Sequence, residues 1–319
     1  MAVLLHSNDD QIVWCRAESA GGTGHHLALR RRRSRMRARA RQCVIEAYEF
    51  LLDRWEPGDR LYLFGSGRGA YCARALTHLL GTVGVLRGPD LARWRAADLT
   101  QYVLSAYAMP RTPRSASDWR RVEHLAAQLS GRRDIAVEVD YLGLWDTVAV
   151  PGLPQADTAD LLPNVMAARH AVAIDGGLGQ FDVQPLSPTG QGIEEVWFRG
   201  THRDVTGGQH ACAPLSKIAL DWVLDGAVRA GVQVSPSHRP ALDPADADAG
   251  NAHPMALRKV PADAVVHASV QSYLRTHQSY WRRLPEHVVW TDPDWGARGE
   301  RLVDRQSTAG AVPMLVAAS

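Results

Sequence analysis

Lysine is almost missing from these 319 residues: only Lys217 and Lys259 are present, so arginine carries nearly all the positive charge. Long apolar runs are missing too, which excludes an ordinary membrane-spanning helix of about 20 apolar residues. The first ten residues hold no basic segment leading into an apolar one, so no cleavable signal peptide is expected. Cysteine is sparse: Cys15, Cys43, Cys72 and Cys212 form no C-x-x-C pair. Neither a zinc site nor a disulfide framework follows from such spacing, and reduced thiols are the expectation. These absences fit a protein of the cytoplasm, or one exported without a cleavable signal. No cofactor motif stands in the chain, and no cofactor or metal is expected.

Net charge is also low, at +2, which gives no overall attraction to polyanions. The charge is unevenly placed. Arg30, Arg31, Arg32, Arg33, Arg35, Arg37, Arg39 and Arg41 fall within twelve residues that contain no acid. A solvated helix face is the plain interpretation. Contact with a membrane surface is the functional alternative. A nucleic-acid partner is not expected, because no reader motif accompanies the run. Positive charge opposes a helix N-terminal dipole, so a short extended arm before the helix is expected.

Apolar segments that alternate between strand and helix character predict an α/β protein with a mostly parallel sheet, helices on both faces. Helices are predicted over 36–55, 70–80, 91–108, 117–129, 164–174 and 215–230, with a return to helix over 260–275. Strands are predicted over 60–64, 135–145 and 194–198. The last strand leads into a loop over 200–209. Residues 235–254, rich in Pro, Ala and Asp, read as a surface loop within one domain of 1–290, followed by a C-terminal tail over 291–319.

One predicted strand runs into a glycine turn and then a helix: Phe64-Gly65-Ser66-Gly67-Arg68-Gly69-Ala70-Tyr71. That is the layout of a nucleophile elbow, which lifts one side chain above the sheet beside a helix N-terminus. The segment resembles the G-F-S-R-G-A-Y elbow of the catalytic domain of type VI secretion phospholipase effectors. Further segments, in the same order as in that family, support the resemblance. They are Leu142-Gly143-Leu144-Trp145-Asp146-Thr147-Val148, Arg169-His170-Ala171-Val172-Ala173-Ile174-Asp175, and Trp197-Phe198-Arg199-Gly200-Thr201-His202-Arg203-Asp204-Val205-Thr206-Gly207-Gly208. Gln11-Ile12-Val13-Trp14 and Val266-His267-Ala268-Ser269-Val270 are weaker echoes.

The resemblance implies an α/β-hydrolase-like fold and a serine hydrolase acting on lipid esters, so a lipid or small ester is the implied substrate. It also implies Asp146 as the acid that orients a histidine, and His202 as the general base. Taken alone, Asp146 reads as a turn or cap residue and His202 as an ordinary loop residue. Asp204, His170 and Asp175 are read as structural.

The chain departs from the family at the central position. Gly67 stands where the nucleophilic serine is expected, so the catalytic set is Asp146, His202 and a nucleophile position without a hydroxyl. Ser66, one residue early, is the candidate substitute nucleophile, but it is expected to point away from the apex. The family's opening F-D-G-T strand has no counterpart before Gln11, so that strand is expected to be missing or replaced. Two functions follow: a lipid-ester hydrolase with impaired catalysis, or a non-catalytic lipid-binding or protein-interaction module on the same fold.

Overall fold

The computed structural model describes residues 1–7, 10–16, 28–86, 115–131, 134–151, 153, 162–175, 183–186, 192–252 and 258–298. Its strands are β1 (Ala2–Ser7), β2 (Asp10–Cys15), β3 (Arg60–Ser66), β4 (Tyr141–Trp145), β5 (Ala168–Ala173), β6 (Ile193–Phe198), β7 (Ala264–His267) and β8 (Val288–Thr291). They form one sheet in the order β2-β1-β3-β4-β5-β6-β7-β8. From β3 to β8 every neighbour pairs in parallel, whereas β1 pairs antiparallel with both β2 and β3.

The α-helices described are α1 (Ala28–Arg54), α2 (Arg68–Thr82), α3 (Ala116–Ser130), α4 (His202–Thr206), α5 (Ala213–Arg229) and α6 (Ala268–Thr276). Strand alternation decides which helix meets which face. Leu61 and Leu63 of β3 join α1 and α2 residues such as Tyr48, Leu51, Leu76 and Leu79 in one core. Tyr62, with Phe64 packed alongside, joins Ile218, Ala219, Trp222 and Val223 of α5 on the other face. The chain is therefore an α/β protein with helices on both sides of a mostly parallel sheet. Leu76, Leu79 and Leu80 are fully buried, each worth about 1.5–3 kcal/mol of transfer free energy.

Several sequence expectations need correction. Residues 164–174 are not a helix: Ala168–Ala173 is β5, with all six residues buried. A strand covered on both faces loses the apolar–polar alternation that marks a half-buried one, so its pattern imitates helix. The strand expected over 135–145 is confined to Tyr141–Trp145, with one isolated bridge at Val139. The segment 260–275 contains β7 before α6. The loop over 235–254 holds two short 3₁₀ turns, and Ala247 within it is buried. The expected extended arm does not precede 36, because α1 begins at Ala28. The helix predicted over 91–108 lies outside the described residues.

Ala2–Ser7, where no element is predicted from the sequence, form β1. It lies beside β3 but runs the opposite way, with Ala2 opposite Phe64. Near the other end of the chain Trp295 is buried, and Arg298 pairs with Asp221 and Asp292.

Candidate active site

The strand-to-helix turn is a single residue. β3 ends at Ser66, α2 begins at Arg68, and Gly67 between them has φ 55° and ψ −119°. That region is strained for any residue with a Cβ. The turn is fixed from below: the Gly67 N–H donates to the Trp145 carbonyl at 2.8 Å, and the Gly67 carbonyl accepts from the Val148 N–H at 3.3 Å. Gly65 explains the spacing of the motif. A Cβ there would lie 2.5 Å from the Gly69 carbonyl oxygen and 2.6 Å from the Ala70 Cα, so only glycine lets β3 and α2 approach this closely.

Asp146 follows directly on β4, with φ 43° and no exposed surface. Its Oδ1 accepts from the Ala173 N–H at 3.0 Å. His202 opens α4 and donates from Nδ1 to Asp146 Oδ2 at 2.6 Å. The other side of the ring faces the turn: a Cβ on Gly67 would stand 3.1 Å from His202 Cε1 and 3.2 Å from Nε2. Gly67, Asp146 and His202 thus meet at the carboxyl ends of strands β3, β4 and β6, the edge where open α/β sheets carry ligands.

The short helix bearing His202 is anchored by Asp204. Its Oδ2 accepts from the Thr201 N–H and Oγ1, both at 2.8 Å, and its Oδ1 accepts from the Cys212 N–H at 2.8 Å. Thr206 Oγ1 donates to the His202 carbonyl at 2.8 Å. Asp175 accepts from the Gly200 N–H at 3.0 Å and from Arg283 at 2.5 Å. Buried His170 accepts from the Thr147 N–H and pairs with Glu195, both at 3.0 Å. All three act on the scaffold beneath the turn.

Ser66 is exposed and belongs to the opposite side of β3 from Leu63 and Gly65. It opens on a cavity of about 570 Å³ that is also lined by Phe64, Trp145, Val205, Leu220 and Lys217. The cavity adjoins the turn, and its walls are mostly apolar.

One residue has no place in the sequence reading. Arg258 donates from Nη1 to Asp146 Oδ1 at 2.5 Å, from Nη2 to Oδ2 at 2.9 Å, and from Nη1 to the Ala173 carbonyl at 2.9 Å. Burial pushes the Asp146 carboxyl up. The hydrogen bond from His202 and the charge of Arg258 outweigh it and hold the group well below the usual carboxylate range. No motif flagged Arg258, because it is 112 residues away in sequence and stands in a stretch of no regular pattern. Among the described residues no group of three or more His, Cys, Asp or Glu could hold a metal ion. Among the same residues no helix is long and apolar enough to cross a membrane.

Residues 16–226 match the family described as "T6SS, Phospholipase effector Tle1-like, catalytic domain". The chain belongs to this Tle1-like family. Another relative is the "Uncharacterized protein YEL023C" of Saccharomyces cerevisiae, 28% identical over 155 residues, which are 46% of this chain and 21% of the yeast protein. An uncharacterized protein of Pseudomonas aeruginosa, known from a crystal structure, aligns over 66% of this chain and 29% of its own, with 20% identity and a TM-score of 0.32. This Tle1-like chain therefore spans under a third of the length of either protein. The matched span includes the turn at Gly67, Asp146 and His202.

Proposed function

We propose that this Tle1-like domain recognises lipid esters and that its covalent chemistry is disabled at Gly67. The observation carrying the proposal is the His202–Asp146 pair, hydrogen-bonded at 2.6 Å and turned toward an elbow residue that has no side chain. In a serine hydrolase the elbow hydroxyl attacks the ester carbonyl while its proton passes to the imidazole Nε2. The carbonyl π electrons move onto oxygen. Collapse then expels the alkoxide, which recovers the proton from the imidazolium. Without the hydroxyl the first bond cannot form, although the base and its orienting acid are in place.

Other features support retained recognition. The cavity beside the turn offers Phe64, Trp145, Val205 and Leu220 to an acyl chain. The N-terminus of α2, just after Gly67, is a favourable place for negative charge. What argues against Ser66 as a substitute nucleophile is that it ends β3, while the elbow position facing His202 is Gly67.

A fluorophosphonate probe with mass spectrometry, run beside assays on a short-chain ester and a phospholipid, tests the proposal. The unmodified chain is expected to show neither label nor turnover above background, and to bind a non-hydrolysable ether lipid. Gly67→Ser is expected to label at position 67 and to lose the label in Gly67→Ser/His202→Ala. Labelling of the unmodified chain at Ser66, or clear turnover by it, would refute the proposal.

A further inference from the structure

The arginine run occupies a distinctive position. β1 starts beside the elbow edge of the sheet, with Ala2 opposite Phe64, and β2 returns to that edge, with Cys15 opposite Ala2. α1 then leads down to β3, which climbs back to the elbow, so α1 starts at the elbow edge too. Its level against α2 can be read at two points. Cys72, about one turn into α2, donates from Sγ to the Ala40 carbonyl at 3.6 Å. Tyr48 Oη donates to the Gly84 carbonyl, just past the end of α2, at 2.9 Å. The two helices therefore run side by side in the same direction.

Twelve residues of α1 precede Ala40, but only four of α2 precede Cys72. At 1.5 Å per residue the N-terminal turns of α1 overhang the start of α2 by on the order of 10 Å. Ala40 is the first buried side chain described on α1, and Arg33, Arg35 and Arg39 are exposed. No acid appears on α1 before Glu46, which is itself paired with Arg16. Concentrated positive charge at this end opposes the helix dipole and costs stability.

We infer that the overhanging end of α1 is an electrostatic docking surface for an anionic lipid bilayer, which it brings up to the edge of the sheet carrying Gly67 and His202. Arginines spread around a projecting helix suit a planar array of phosphate headgroups, and each basic residue near such a surface adds to the affinity. The inference extends the lipid reading of the site to the bilayer in which the lipid lies. It requires no turnover, so its failure would leave the probe results at position 67 untouched.

The experiment is co-sedimentation of the full chain with phosphatidylcholine vesicles, with and without phosphatidylglycerol, at low and high salt. The chain is expected to partition onto the anionic vesicles only, and to be released by salt. The quadruple variant R33Q/R35Q/R37Q/R39Q is expected to lose up to on the order of a thousand-fold in partitioning. The matching quadruple Arg→Lys variant is expected to keep most of it, which separates charge from any change in the helix; circular dichroism of both checks the fold. Equal binding to neutral vesicles would overturn the inference, as would full binding by the Gln variant or loss of binding by a folded Lys variant. Tighter binding to duplex DNA than to anionic vesicles at the same salt would assign the surface to nucleic acid and overturn it as well.

Discussion

The imidazole of His202 stands so close to the Gly67 backbone that a Cβ there would come within 3.1 Å of Cε1 and 3.2 Å of Nε2. Such a contact is tighter than ordinary van der Waals packing, and it coincides with a positive φ at the same residue. Position 67 therefore sets two separate costs against any side chain: backbone strain and crowding of the ring.

The two costs can be told apart by stability measurements. Gly67→Ala is expected to destabilise the chain by about 1–3 kcal/mol through strain, with a further increment from the imidazole contact. In a double-mutant cycle with His202→Ala the crowding part should disappear and the strain part remain. Urea denaturation of the four proteins reads both. Strict additivity would mean that the ring gives way freely.

Gly65 is a more severe test of the elbow. A Cβ at 2.5 Å from the Gly69 carbonyl meets backbone, which cannot rotate aside. Gly65→Ala is expected to cost more than about 3 kcal/mol, above the strain cost at Gly67. A thermal melt within a degree of the parent protein would show that β3 and α2 are not packed as described.

Arg258 carries the charge balance beneath His202. Arg258→Met leaves the buried Asp146 carboxylate without its cation and is expected to destabilise by about 3–5 kcal/mol. The double variant Arg258→Met/Asp146→Asn removes both charges and should recover part of that loss. Equal stability of the single and double variants would argue against the ion pair.

Acid should unfold the chain through two carboxylates. Asp146 is held low for the reasons given above. At Asp292 burial pushes the group up, but the hydrogen bond from His267 and the pairing with Arg298 bring it down to about 2. A carboxyl depressed in the folded state contributes stability that is complete above its unfolded value of about 3.9 and is lost as pH falls through its folded value. Urea midpoints are therefore expected to be flat from pH 7 to about pH 5 and to fall steeply from there toward pH 2. Asp292→Asn should lower the plateau and lessen the slope. An unchanged slope in that variant would remove Asp292 from the account.

Much of the architecture was legible because the signals are local. Glu56-Pro57-Gly58-Asp59 stops α1, β3 is short and apolar, and the glycines of 65–69 announce a tight turn. Where burial is two-sided the signal fails. All six residues of Ala168–Ala173 are buried, so the pattern of this central strand imitates that of a helix. At the N-terminal hairpin the second strand, around Gln11–Trp14, carries a weak family resemblance, whereas the first seven residues show no clear alternation to mark the first strand.

The sequence by itself determined the family, the elbow and the missing hydroxyl at Gly67, since each is a matter of residue identity in order along the chain. The family resemblance already implied that His202 serves position 67; the fold alone decided how closely the ring approaches Gly67, that Arg258 clasps Asp146 from 112 positions away in the chain, and that the basic end of α1 overhangs the elbow edge. Those relationships depend on the parallel stacking of strands and on helix levels, which bring distant residues together and leave no periodic trace in the sequence.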